Sequence, residues 1–196
     1  MTRTIVESKT KTAIIGFDEP FCVIGERINP TGRKILAAEL EQGDFSRGEA
    51  DALAQVAAGA NILDINSGAV FSNKMAEDPR YADNNFVEPP LMKEMVEKVQ
   101  AVTDIPLCID SSVPGALEIG LAAAEGRPLL NSVTGEEERL ELVLPLVKKY
   151  NVPMVAISND DTGISEDPDV RFAVEKKSVE RAAEVGIQAY DIVVGP

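Results

Sequence analysis

The chain has 196 residues, 44% of them apolar, and a formal net charge of −14 from 33 acidic and 19 basic residues. This length suits one domain with a sizeable core, and the acidic excess argues against binding to nucleic acids or anionic membranes. The sequence contains no histidine. That removes the commonest general base and the commonest zinc ligand, so we expect no metal site.

No apolar run is long enough to cross a membrane, and the polar N-terminus lacks the apolar core of a secretory signal. Cys22 and Cys108 both lie in apolar runs and are expected as buried thiols rather than a disulfide or a metal pair. These features predict a cytoplasmic protein. We expect an N-terminal extension at residues 1–20 and one barrel domain at residues 21–196.

Six short apolar runs are predicted as strands. In chain order they are residues 21–26, 61–66, 107–110, 129–133, 154–158 and 191–195. Their nearly continuous apolar character is typical of parallel strands that are buried on both faces.

The segments between these runs have the periodicity of amphipathic helices. Ser46 is predicted to cap the first helix, with Glu49 completing a capping box, and Asp167 is predicted to cap the last. The helices are expected at residues 46–58, 91–102, 114–124, 138–150 and 168–185.

This alternation of strand and helix predicts an α/β fold. The first strand is followed by Gly-Glu-Arg-Ile-Asn, which is not the glycine-rich fingerprint of a doubly wound dinucleotide fold. We therefore expect a (β/α)8 TIM barrel of which this chain holds about six βα units.

Polar side chains gather at the C-terminal ends of five predicted strands. One such residue alone would be interpreted as a helix cap, but the repetition favours a ligand site, because this face of a barrel carries the active site. The residues are Glu26, Arg27, Asn29, Asp64, Asn66, Asp110, Ser111, Asn131, Ser132, Ser158 and Asn159.

Carboxylates and carboxamides suit a flat, neutral heterocycle with alternating donors and acceptors. An Asp accepts from ring N–H and amino groups, and an Asn can donate and accept at once. A phosphorylated substrate would instead need glycine-rich loops or a cationic cluster, and the sequence shows neither. A pterin has the required character.

The segments GERINPTG, LDIN, CIDSS and LLNSV, in this order, resemble the pterin-binding methyltransferases. This family includes the methyltetrahydrofolate:corrinoid/iron–sulfur protein methyltransferase and the folate domain of cobalamin-dependent methionine synthase. The resemblance covers residues 21–196. It implies a barrel that binds 5-methyltetrahydrofolate and moves its N5 methyl group to or from the cobalamin of a corrinoid partner protein. Dihydropteroate synthase is less similar, because its Ser-Thr-Arg-Pro loop is replaced here by Asn-Ser-Gly-Ala at residues 66–69.

The resemblance assigns roles to individual residues. Asp110 and Asn131 match the pterin-binding Asp and Asn of the family. Asp64 and Asn66 are expected to support the floor of the same site or to contact the ring edge, and Asn29 is expected beside them.

Two departures from the family pattern are visible. The sixth strand of the family ends in Asp-Pro, whereas this chain has Gly195 and Pro196, so a pterin-binding position lacks its carboxylate. Strands seven and eight are missing from these 196 residues, and the catalytic Asn of the family follows strand seven, so no catalytic residue is named. A non-catalytic pterin-binding or scaffold module of the same fold is therefore the alternative, and a homodimer is an assembly that the resemblance allows.

The last expectations concern the entrance to the site. Residues 67–90 have little periodicity and are predicted to be a lid or a partner-docking loop. Glu26 and Arg27 form either an internal ion pair or a ligand contact. At least two cations are expected to face the entrance and attract the carboxylates of folate, from the set Arg27, Arg33, Lys34, Lys74 and Arg80.

Overall fold

The architecture is a parallel sheet with helices on one face and a hairpin on the other. The computed structural model describes residues 3–68, 70 and 84–195. Within these residues the strands are β1 (Arg3–Glu7), β2 (Thr12–Gly16), β3 (Ile24–Ile28), β4 (Ile62–Asn66), β5 (Leu107–Asp110), β6 (Leu129–Thr134), β7 (Met154–Ile157), β8 (Asn159–Asp160), β9 (Gly163–Ile164) and β10 (Ile192–Gly195).

The six predicted strands form one sheet in the order β3, β4, β5, β6, β7, β10, and every pair is parallel. Strands that are neighbours in this sheet also follow one another along the chain. A doubly wound sheet would reverse its order partway. The sequential order is that of a barrel wall, which confirms the predicted fold class.

Six α-helices connect these strands in the described part of the chain. They are α1 (Lys34–Glu41), α2 (Ser46–Ala57), α3 (Asn84–Val102), α4 (Pro114–Ala123), α5 (Glu137–Tyr150) and α6 (Pro168–Glu184). None of them is both long and apolar enough to cross a bilayer.

The starts of three helices can be compared with the sequence analysis. The two-turn helix α1 was not predicted, since only Leu36 and Leu40 mark its buried face. The capping box at Ser46 is wrong: Ser46 is already helical, and its N–H donates to Asp44 Oδ1 at 3.0 Å. The cap at Asp167 is confirmed, because its side chain accepts the N–H of Asp169 at 2.9 Å.

Helix α3 begins at Asn84, so the prediction of a loop through residue 90 is wrong for residues 84–90. Pro89 and Pro90 suggested a helix boundary, yet both lie inside the helix. Both lie past the first four residues of α3, so each lacks an N–H that would otherwise donate to the carbonyl four residues earlier. The fixed φ of proline is itself compatible with a helix. The central part of the predicted loop, residues 69 and 71–83, lies outside the described residues.

The central strands β4, β5 and β6 are mostly buried on both faces, as their apolar character predicted, whereas the edge strands β3 and β10 are partly exposed. The outer layer lies between sheet and helices and includes Leu63, Ile109 and Leu130. On the inner face, Ile62, Cys108 and Leu129 pack against Val6 and Ala13 of the β1–β2 hairpin. Residues 3–16 of the expected extension therefore contribute to the core.

The hairpin covers the N-terminal ends of the strands. Arg127, just before β6, holds it there: Nη1 donates to Ile5 O at 2.8 Å, and Nε donates to Asn151 O at 2.7 Å. The same guanidinium lies 2.9 Å from the carboxylate of Asp191. With this end closed, the C-terminal ends of the strands remain for a ligand.

Glu175 on α6 is a buried carboxylate that should destabilise the fold. It is 8% exposed, and neither oxygen has a hydrogen-bond partner among the described residues. Burial raises its pKa to about 7. We expect Glu175→Met to raise the free energy of unfolding by about 1–2 kcal/mol in urea titrations at pH 8, where the wild-type carboxylate is charged. At pH 5 the gain should shrink, because the buried acid is then neutral.

The matched control is Glu180→Met, an exposed position on the same helix, which should change stability by less than about 0.5 kcal/mol. A Glu175→Met protein less stable than wild type at pH 8 would mean that this carboxylate has a stabilising partner.

Candidate functional site

Three neighbouring strands place polar side chains in one row. The register sets Asn66 of β4 beside Asp110 of β5, and Asp110 beside Asn131 of β6. Residues in register on parallel strands point to the same face, and Asp64, two residues before Asn66, points there as well. The structure thus brings together four of the predicted site residues at the end of the sheet that the hairpin leaves uncovered.

Two amide–carboxylate hydrogen bonds cross these strands. Asn66 Nδ2 donates to Asp110 Oδ2 at 2.8 Å, while Asn66 Oδ1 accepts the N–H of Gly68 at 2.8 Å. Asn131 Nδ2 lies 3.4 Å from Asp64 Oδ2. Asn66 is engaged at both ends of its amide, so it orients Asp110, which is the supporting role that the sequence analysis left open.

The remaining polar atoms of the row are suited to a ligand. Asp110 Oδ1 and Asn131 Oδ1 have no hydrogen-bond partner among residues 3–68, 70 and 84–195. Both are acceptors, one from a carboxylate and one from an amide. A ring that presents adjacent N–H and amino donors could satisfy both oxygens.

The two carboxyl groups of the site differ in their protonation. Burial raises the pKa of Asp64 to about 7, and the nearby carboxylates of Asp110 and Glu26 act in the same direction. Burial also raises the pKa of Asp110, but the hydrogen bond from Asn66 and the positive charge of Arg139 oppose this rise. Asp64, with its pKa of about 7, is therefore partly protonated near neutral pH. Around Asp110, the hydrogen bond from Asn66 and the charge of Arg139 both favour the carboxylate form.

Two charged residues beside the row were missed by sequence reasoning. Glu88 of α3 is buried and accepts a hydrogen bond from the hydroxyl of Ser111, directly after Asp110. Arg139 of α5 lines a cavity of about 300 Å³ together with Asp110. Both lie on helices among other charged residues, where no sequence pattern distinguishes a residue that faces the site from one that faces solvent.

Asn29 and Gly195 have different surroundings. Asn29 Oδ1 accepts the N–H of Thr31 at 2.9 Å, so part of its amide stabilises a local turn. Gly195 ends β10, and a Cβ there would lie 3.3 Å from Cγ1 of Val155. Val155 is in register with Asn131. A side chain at residue 195 would start two strands away from Asn131, and Val155 would have to move slightly.

Three of the five cations expected at the entrance lie among the described residues. Arg33 pairs with Asp51 at 2.6 Å and donates to the backbone oxygen of Arg27, which leaves it less free to meet a ligand. Arg27 and Lys34 are exposed. That two cations face the entrance stays a prediction, and Lys74 and Arg80 lie outside the described residues.

The structure also describes the surroundings of Glu26 and of the two cysteines. Glu26 forms no ion pair with Arg27 within the described part of the chain, and its charge acts on Asp64. Cys22 and Cys108 are free thiols, the first half-buried and the second fully buried. No three His, Cys, Asp or Glu side chains among the described residues are placed to hold a metal.

Comparisons with known proteins agree with this geometry. A family described as pterin binding enzyme matches residues 25–196. The methylcorrinoid:tetrahydrofolate methyltransferase of Eubacterium limosum is 27% identical over 176 residues, which cover 89% of this chain and 59% of that protein. The methionine synthase of Mycobacterium leprae (strain TN) is 25% identical over 162 residues, 80% of this chain and 12% of that protein. The chain thus spans a little over half of the first relative.

Solved structures with the same fold are dihydropteroate synthases. The enzyme of Xanthomonas albilineans superposes with a TM-score of 0.62 at 21% identity, covering all of this chain and 65% of that one. The enzyme of Stenotrophomonas maltophilia gives a TM-score of 0.60 at 19% identity, with 92% and 61% coverage. At these identities the likeness is one of fold, and the sheet of this chain corresponds to part of a TIM barrel.

Proposed function

This chain belongs to the pterin binding enzyme family, and on that premise we propose that its polar row binds the pterin ring of a tetrahydrofolate. We further propose that the protein transfers the N5 methyl group between 5-methyltetrahydrofolate and the cobalt of a corrinoid held by a partner protein. The low-identity relatives named for methylcorrinoid:tetrahydrofolate methyltransferase and methionine synthase support this reaction type.

The observation that carries the proposal is a pair of acceptors on adjacent strands that have no hydrogen-bond partner among the described residues. Asp110 and Asn131 are in register on β5 and β6, and Asn66 and Asp64 bond to the other polar atom of each side chain. A pterin presents a ring N–H next to an exocyclic amino group. The carboxylate of Asp110 can accept hydrogen bonds from these donors, and the amide of Asn131 can form hydrogen bonds with the neighbouring edge of the ring.

The row holds its geometry before a ligand arrives. Asp64 lies below it, 5% exposed, and its pKa of about 7 keeps part of the population protonated near neutral pH. Asn66 and Arg139 favour the ionised form of Asp110. Prearranged acceptors of this kind bind and orient the ring without reorganisation during the reaction.

The chemistry of the methyl group sets what else the protein must do. The methyl group leaves a tertiary amine, so N5 needs a proton or a strong hydrogen bond as the bond breaks. Among the residue types of this chain, an amide, a carboxyl group, a hydroxyl or an ammonium group could provide it, as could an ordered water. The corrinoid supplies the cobalt atom that accepts or returns the methyl group.

A second candidate is a pterin-binding module that performs no catalysis. Gly195 favours it, because the residue that the family resemblance leads one to expect there is a carboxylate. Such a module would bind the ring through Asp110 and Asn131 and would leave the methyl group in place.

Methyl transfer separates these candidates. The full-length protein, mixed with 5-methyltetrahydrofolate and cob(I)alamin under anaerobic conditions, should convert the cobalamin absorption spectrum to that of methylcobalamin. Binding of 5-methyltetrahydrofolate without this conversion would favour the non-catalytic module. If the protein neither binds nor transfers, the proposed function is wrong.

A further inference from the structure

Arg139 connects the two strand ends that carry the ligand-facing residues. Its Nη1 donates to Ser112 O at 2.7 Å, and its Nη2 donates to Ser111 O and to Ser132 O at 3.0 Å each. Ser111 directly follows Asp110, and Ser132 directly follows Asn131. One guanidinium therefore bonds to the backbone immediately after both residues.

The same backbone is held from the opposite side. Glu88 of α3 accepts the hydroxyl hydrogen of Ser111, and the oxygen of that hydroxyl accepts the N–H of Val113 at 2.9 Å. The end of β5 is thus fixed between a carboxylate on α3 and a guanidinium on α5. Of Glu88 and Arg139, only Arg139 also bonds to the backbone of β6, at Ser132 O.

Building on the proposed function, we propose that Arg139 is a positioning residue. It sets the spacing of the ends of β5 and β6, so that Asp110 and Asn131 reach one ring together. A lysine cannot replace it, because two guanidinium nitrogens together donate to three carbonyl oxygens, which a single ammonium group does not reproduce.

Arg139 has a second, electrostatic consequence for the site. Burial lowers the pKa of its guanidinium, and the carboxylates of Glu136 and Asp110 oppose this change. Its charge in turn favours the ionised form of Asp110. Asp64 on β4 and Glu88 on α3 are acidic neighbours of Asp110: burial raises the pKa of both, and the charge of Asp110 adds to this rise.

Arg127 offers a matched control at the other end of the sheet. Like Arg139, it donates to backbone carbonyls of two separate segments, Ile5 and Asn151. It also pairs with Asp191. Its removal should lower stability without any effect on the row, because it lies at the N-terminal ends of the strands.

The test compares Arg139→Met, Arg139→Lys and Arg127→Met with the wild-type chain. Calorimetric titration with pterin-6-carboxylate should show binding at pH 7 weakened on the order of tenfold or more in Arg139→Met. Arg139→Lys keeps the charge but should recover little of this affinity. Arg127→Met should lower the unfolding temperature and bind as wild type. Wild-type affinity in Arg139→Met would overturn the inference.

A ligand-free measurement keeps the inference separate from the proposed function. A carbon-detected NMR titration of the side-chain carboxyls should give Asp110 a higher pKa in Arg139→Met than in wild type or Arg127→Met, and Arg139→Lys should fall between them. An unchanged Asp110 pKa together with unchanged backbone shifts at Ser111 and Ser132 would refute a positioning role. If the wild type binds no pterin but these signals move as expected, the proposed function fails while the positioning role stands.

Discussion

Replacement of Asp110 by alanine should weaken the binding of 5-methyltetrahydrofolate by about 1–3 kcal/mol, roughly 5–150-fold in the dissociation constant. The variant removes the acceptor that we assign to the ring N–H and amino donors. It also leaves the amide of Asn66 without the oxygen to which it donates at 2.8 Å. The measurement is a calorimetric titration at pH 7, with circular dichroism to show that the variant is folded.

Two controls separate this effect from general damage. Asp104→Ala removes a carboxylate just before β5, at the end of the strand away from the row, and should leave affinity unchanged. Asp110→Asn keeps the shape but removes the charge, and should fall between wild type and Asp110→Ala. An affinity of Asp110→Ala equal to that of wild type would contradict the assignment of Asp110 as a ring contact.

The chain should become less stable as the pH rises from about 4 to 8, and Asp64→Asn should remove much of this dependence. Asp64 has a pKa near 3.8 when unfolded and of about 7 when folded, because burial favours its neutral form. A carboxyl whose folded pKa is raised destabilises the fold above that pKa and has no such effect below the unfolded value. At pH 8, Asp64→Asn should therefore be more stable by on the order of 2–4 kcal/mol.

Urea titrations at several pH values test this prediction. Wild type and Asp64→Asn should have similar unfolding free energies near pH 4 and diverge as the pH rises to 8. Asp161→Asn, an exposed position, should follow the wild-type curve. If the difference in unfolding free energy between wild type and Asp64→Asn does not grow between pH 4 and 8, the pKa of Asp64 is not raised in the folded state.

The sequence predicted the elements whose signals are local. β5 was predicted with its observed bounds, because Leu107–Asp110 is a compact apolar run that ends in a carboxylate. Asp64, Asn66, Asp110 and Asn131 were singled out since each lies in the C-terminal part of a predicted strand, and parallel topology brings such parts together. For these four residues, the place in the strand–helix pattern was enough to predict which end of the sheet they occupy.

What the sequence could not predict depends on register and on long-range contacts. That Asn66 is engaged by Asp110 and Gly68 follows only from the pairing of β4 with β5. Arg139 reaches Ser111 and Ser112 from 28 and 27 residues away, respectively, and no sequence pattern in its helix distinguishes it. Pro89 and Pro90 were assigned to the loop before α3, yet both lie inside the helix. Their local preference against a helix interior is overridden in the folded chain.

The most direct test of the account is a calorimetric titration of this chain with three ligands at pH 7: 5-methyltetrahydrofolate, pterin-6-carboxylate and p-aminobenzoylglutamate. If Asp110 and Asn131 recognise the ring, the first two should bind with one-to-one stoichiometry and compete for one site. The third, which has the tail but no pterin, should not bind there. Binding of p-aminobenzoylglutamate without binding of pterin-6-carboxylate would contradict the assignment of this row as a pterin site.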